Sequence, residues 1–106
     1  MSNYKIFLNK KAELDINEVA IWYELKSQNL GIRFLDYFDD FVRKISQNPF
    51  LFKISFDNFR TAHLIKFPYI IFYVIDEVKN EVEILGVYHT SRNPIAIQKH
   101  VKDTKQ

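Results

Sequence analysis

The chain has 106 residues, 47% of them apolar and 16% aromatic, ten of them phenylalanine, with a formal charge of +2. That length suits one compact domain, which we take as residues 1–106, and that composition excludes an intrinsically disordered chain. The absence of cysteine excludes disulfides, thiolate metal sites and thiol nucleophiles and fits a reducing, cytoplasmic setting.

No apolar run approaches the roughly 20 residues needed to cross a bilayer, and the stretch from Met1 to Lys5 does not read as a signal peptide. Neither membrane insertion nor export is expected. The small net charge is unevenly placed: residues 86–106 carry Arg92, Lys99, Lys102 and Lys105 against only Asp103. A basic tail of this kind is ordinarily a solvated end.

Tyr4 to Leu8 has the alternation of a short strand, and the pattern turns helical after Asn9-Lys10-Lys11. A first helix is expected from about Ala12, with Ala12, Ile16, Val19, Ala20 and Tyr23 on its buried stripe and Glu13, Glu18 and Glu24 in water. Asn29-Leu30-Gly31 supplies a stop, because Asn and Gly tolerate the left-handed backbone that closes many helices. Phe34, Phe38, Phe41, Val42 and Ile45 mark the inner face of a second helix, which Pro49 ends after Asn48. So short a link between the two predicts an antiparallel helical hairpin.

A loop is expected around Ser55 to Asn58. Phe59 to Ile65, Tyr69 to Asp76 and Glu81 to His89 then read as an antiparallel meander, the last two joined by the turn Glu77-Val78-Lys79-Asn80. Tyr69, Ile71, Tyr73 and Ile75 share one face of the middle strand and Ile70, Phe72 and Val74 the other. Both faces are apolar, as in a central strand covered on two sides. After Pro94, Ile95 to Val101 predicts a short terminal helix. The order is β-α-α-β-β-β: an α+β fold with a helix hairpin packed on a small antiparallel sheet.

The candidate functional residues cluster late in the chain. Histidine has an ordinary pKa near 6.5, so His63 and His89 can each exchange protons at neutral pH. The guanidinium fork of Arg60 or Arg92 suits phosphate or an acidic surface. Alternation places Arg60 with Ala62 and Leu64, and His63 with Thr61 on the opposite face. His89 can simply finish the sheet edge, and Arg92 can pair with Asp57 or Asp76. The three histidines, at 63, 89 and 100, lack metal-ligand spacing. Gly31 and Gly86 make no phosphate loop, so neither metal nor cofactor is expected.

Ile21-Trp22-Tyr23, Gly31-Ile32-Arg33-Phe34-Leu35, Asn48-Pro49, Arg60, Pro68 to Tyr73, and Ile84 to His89 followed by Arg92-Asn93-Pro94 occur in an order and spacing that resembles the RelE/ParE superfamily. Its members are toxins of bacterial type II toxin–antitoxin modules. The resemblance covers nearly the whole chain and is closer to the ParE branch, through Arg60, the Tyr69 to Tyr73 strand and His89, Arg92 and Pro94. It implies an inhibitor of DNA gyrase, with Arg60, His89 and Arg92 as contacts to the target. It also implies a cognate antitoxin laid over an apolar groove between the hairpin and the sheet.

RelE-like toxins instead cleave mRNA on the ribosome, using several basic side chains to position and neutralise the scissile phosphate. At the corresponding places this chain has Thr61 and His63 instead of paired lysines, Ile70 instead of a strand arginine, and no evident C-terminal tyrosine. If it were a ribonuclease, the resemblance would assign the chemistry to His63, His89 and Arg92, provided that they converge. A third reading is an inactive toxin that only binds its antitoxin.

Overall fold

A computed structural model describes residues 3–105; the reading of Met1 and Ser2 lies outside them. In chain order the elements are β1 (Lys5–Leu8), α1 (Lys10–Lys26), α2 (Leu30–Gln47), β2 (Ile54–Phe56), β3 (Phe59–Leu64), β4 (Tyr69–Asp76), β5 (Glu81–His89) and α3 (Pro94–Lys105). The sheet has the order β1-β5-β4-β3-β2. It is mixed, because β1 lies parallel to β5, with Ile6 opposite Val82 and Leu8 opposite Ile84. The other pairings are antiparallel. The expected α+β architecture is present, with two additions. The alternation of Tyr4 to Leu8 shows a strand but not its partner, and β2 occupies part of what was expected to be loop.

Local chemistry sets the helix ends. α1 begins two residues before Ala12 because the Asn9 side chain caps it, accepting the Ala12 N–H at 2.8 Å. After α1 the chain turns at Asn29, whose φ is 71°. The Glu24 carboxylate then accepts the N–H groups of Asn29 at 2.8 Å and Gly31 at 3.0 Å. One helix thereby caps the next, with a negative charge at its positive end. Gly31 does not end a helix, as the sequence suggested. It lies in the first turn of α2, where a Cβ would sit 2.4 Å from the Ala20 carbonyl oxygen, so its missing side chain permits the close helix crossing.

The hairpin covers one face of the sheet. Ala12, Ile16, Val19 and Ala20 of α1 and Phe34, Phe38, Phe41 and Ile45 of α2 are buried against Ala62, Leu64, Ile71, Tyr73, Val82, Ile84 and Val87. Removing a Val, Leu, Ile or Phe side chain of this set from water contributes about 1.5–3 kcal/mol. At the start of β4 the rings of Tyr23, Phe34, Phe67 and Tyr69 meet at centroid distances of 5.0–6.3 Å, which closes the cleft between hairpin and sheet at that end. The Tyr73 hydroxyl donates to the Pro49 carbonyl at 2.6 Å and pins the loop that follows α2.

On the other face Phe59, Phe72, Val74, Leu85 and Tyr88 pack under Ile97 and Val101 of α3. The alternation read for the middle strand therefore holds on both sides. A bulge changes the register: Phe72 faces Gly86 while Tyr73 faces Ile84, leaving Leu85 without an opposite residue. The adjacent Gly86 is needed because the Tyr88 ring folds over it, and a Cβ there would lie 2.9 Å from Tyr88 Cε2.

Candidate functional site

The end of β5 is built as a rigid corner. Thr90 N–H donates to the Pro68 carbonyl at 2.9 Å, and Arg92 N–H to the His89 carbonyl at 3.1 Å. Asn93 then caps α3, its Oδ1 accepting the N–H of Ile95 at 2.8 Å and of Ala96 at 3.3 Å, with Pro94 in the first helical position. The helix runs to Lys105, one turn beyond the expected Val101.

His63 and Arg92 share a groove of about 160 Å³ on the α3 side of the sheet, lined also by Ser55, Thr61, Thr90 and Gln98 above Ile70 and Phe72. His63 is exposed. Arg92 is exposed too, its guanidinium 5.4 Å from the centre of the Tyr88 ring, and among the described residues it has no partner acid. The acids suggested for it are engaged elsewhere: Asp57 pairs with Lys102 at 3.5 Å and Asp76 accepts the Lys79 N–H at 3.2 Å.

His89 is on the opposite face. It stands across from Tyr69 in the ladder, and its ring meets the Tyr69 ring edge-on at 5.1 Å. Its Nδ1 accepts the Ser91 N–H at 3.0 Å, with Ser91 Oγ at 2.8 Å. In the neutral ring this places the proton on Nε2. Arg60 is also away from the groove, near the other end of β3. It donates to the Phe52 carbonyl at 2.6 Å and lies 5.2 Å from the centre of the Phe50 ring, holding the loop before β2. The structure thus brings together two of the four residues singled out and separates the others.

Two side chains beneath this region were not anticipated. Asp15 reaches from α1 past the end of β1 and accepts the Val87 N–H at 3.0 Å, while Lys11 bonds the same carboxylate at 2.6 Å. The Tyr88 hydroxyl is buried without a hydrogen-bond partner. Burial pushes its pKa up to about 12, the Asp15 charge adds to this, and Arg92 opposes it. Burial likewise raises Tyr73 to about 12 against the pull of Arg60. Period-two alternation from Val82 and Ile84 would put Tyr88 on the hairpin face; the bulge at Leu85 moves it to the Phe72 face, where Gly86 leaves room for its ring.

Toward the far end of the same sheet face lies a larger groove of about 660 Å³, lined by Asp76, Glu77, Glu81 and Glu83 with Phe7, Val74 and Lys79. Its excess of carboxylates disfavours phosphate. Among the described residues, no group of three or more His, Asp or Glu side chains is placed to hold a metal ion. No described helix is long and apolar enough to cross a membrane.

Residues 6–94 match the family described as the ParE toxin of type II toxin-antitoxin system, parDE. The chain belongs to this family of toxins. The toxin fold is shared with solved structures of low sequence identity. The toxin–antitoxin complex RelBE2 from Mycobacterium tuberculosis superimposes with a TM-score of 0.62 at 21% identity, over 87% of this chain and 97% of that one. The chromosomal ParDE system of P. aeruginosa gives 0.60 at 15% identity, over 83% and 97%. The isolated E. coli RelE toxin gives 0.62 at 13%, over 94% and 97%. No curated protein matches the toxin in sequence.

Proposed function

We propose that the toxin arrests growth by binding DNA gyrase and trapping its cleaved-DNA state, and that a cognate antitoxin neutralises it. The observation that carries this reading is the make-up of the His63–Arg92 groove. Phosphodiester cleavage needs a base, an acid and enough positive charge to stabilise the developing oxyanion. This groove holds one imidazole and one guanidinium, with hydroxyl and amide groups around them. His89, the expected second proton carrier, faces the hairpin side. A recessed, neutral-to-basic corner with an exposed, stacked arginine is better suited to gripping a protein surface.

In this reading Arg92 is the principal contact. His63 and His89 flank it from the two faces, and Arg60 contributes by shaping the Phe50–Phe52 loop. RelE-like cleavage of mRNA on the ribosome is the second reading, favoured by the shared groove of His63 and Arg92. Pulse-labelling after induction separates the two. Gyrase trapping predicts that thymidine incorporation falls first, with methionine incorporation following later. An immediate loss of methionine incorporation with DNA synthesis intact would transfer the assignment to RNA cleavage, and no change in either would indicate a toxin that only binds its antitoxin.

A further inference from the structure

The two helices of the hairpin differ on their outer sides. The outer positions of α2 include Asp36, Asp39, Asp40, Arg43 and Lys44, all exposed. α1 instead carries a second apolar stripe: Leu14, Ile21, Trp22 and Leu25 are 52%, 61%, 52% and 83% exposed. At 100° per residue, Leu14, Ile21 and Leu25 fall on one line opposite the buried Ile16 and the half-buried Tyr23, with Trp22 beside it. Trp22 is held in place by the Tyr23 ring, edge-on at 5.1 Å, and by Lys26 Nζ, 4.8 Å from its centre. A fixed aromatic amid aliphatic side chains is the composition of a binding hot spot. Contiguous exposed apolar side chains of this kind mark interaction sites on soluble proteins.

Its electrostatics select the partner. Glu18 lies within the stripe, one turn from both Leu14 and Trp22, and forms no ion pair among the described residues; Asp15 and Glu24 are engaged by Lys11 and by the start of α2. Pairing two copies of α1 about a two-fold axis, parallel or antiparallel, would bring the two Glu18 carboxylates within about a turn of each other, a like-charge contact.

Strand addition has little to build on. β2 is three residues long with an irregular register, and at β1 the backbone of Tyr4 is already bonded to Ser46. The feature that remains is a groove-free apolar helix face, about 16 Å long from Leu14 to Leu25, with an unpaired carboxylate in it.

We propose that the outer face of α1 docks an amphipathic helix of about three turns from the cognate antitoxin, with a lysine or arginine on that helix meeting Glu18. This inference rests on the toxin–antitoxin reading above, and it moves the partner from the hairpin–sheet cleft to the solvent side of α1. The test is calorimetric titration of the purified product of the neighbouring gene into the wild-type toxin, Ile21→Glu/Leu25→Glu, the milder Ile21→Ser/Leu25→Ser, and Glu18→Lys. All the altered positions are exposed, so thermal melting should stay near wild type and certify the fold.

Binding to wild type that weakens at least about tenfold in both double variants, with a smaller loss in Glu18→Lys, is the expected result. Equal binding by wild type and the double variants would overturn the α1 surface while leaving the antitoxin reading intact. No binding to wild type would remove the antitoxin reading itself. A wild-type dimer that the double variants dissolve, with antitoxin binding unchanged, would assign the stripe to a second copy and overturn the proposal.

Discussion

On one face of the sheet the strands meet a helical hairpin whose inner side chains are apolar and buried, with His89 at the edge of that face, its Nδ1 bonded to Ser91. On the other face α3 covers only the middle, and the ends open into two polar grooves, one rich in carboxylates and one holding His63 and Arg92. The contrast separates the part of the molecule that maintains the fold from the part that can meet a target. A side chain buried under the hairpin should act through stability, and one at the exposed rim around the end of β5 through recognition.

The sharpest way to break this division is at the hairpin core. Phe34 is fully buried and touches the rings of Tyr23, Phe67 and Tyr69, so Phe34→Ala should cost about 3–5 kcal/mol in denaturant unfolding. Ile97 of α3 is nearly as buried but sits under a single helix at the open face. Ile97→Ala should therefore cost about 2 kcal/mol, the lower end of the range for such truncations. Equal costs would mean that α3 is as integral to the core as the hairpin.

Alkaline pH probes both faces together. Tyr73 and Tyr88 are raised to about 12 in the folded protein, from an ordinary value of 10.0. The unfolded chain then releases these protons first. Their contribution is fully present below about pH 10 and is lost as pH rises toward 12. Tyr88→Phe removes a buried hydroxyl that has no partner, so it should leave stability unchanged or raise it by up to about 1 kcal/mol and flatten the alkaline loss. Tyr73→Phe also removes a titrating group, but it orphans the Pro49 carbonyl and should lower stability at neutral pH by about 1 kcal/mol.

The smallest effect on stability is expected at the functional rim. Arg92→Glu should change unfolding free energy by no more than about 1 kcal/mol, because the side chain is exposed, forms no ion pair among the described residues and loses only its contact with the Tyr88 ring. It should nonetheless abolish growth arrest. Arrest that persists at equal protein levels would remove Arg92 from the contact surface.

Much of this division is legible in the residues themselves. The spacing of Ala12, Ile16, Val19 and Tyr23, and of Phe34, Phe38, Phe41 and Ile45, is enough to give the hairpin, and the two-sided β4 follows from its unbroken apolar run. Two features depend on distant contacts that periodicity does not encode. The parallel pairing of β1 with β5 is one, and the bulge that leaves Leu85 unopposed beside Gly86 is the other. At the site, alternation separates Arg60 from His63, but it cannot say that the corner after β5 brings Arg92 back toward His63 while His89 stays behind. Nor does an inward stripe on α1 reveal, until the burial is seen, that Leu14, Ile21 and Leu25 form a second one.

The most direct test of the gyrase assignment is a plasmid supercoiling reaction with purified gyrase and ATP, quenched with detergent and protease so that any trapped cleavage complex is released as linear DNA. Linear plasmid that accumulates only when gyrase and the toxin are both present, and that Arg92→Glu fails to produce, is the predicted result. Undisturbed supercoiling at a large molar excess of folded toxin would contradict the account.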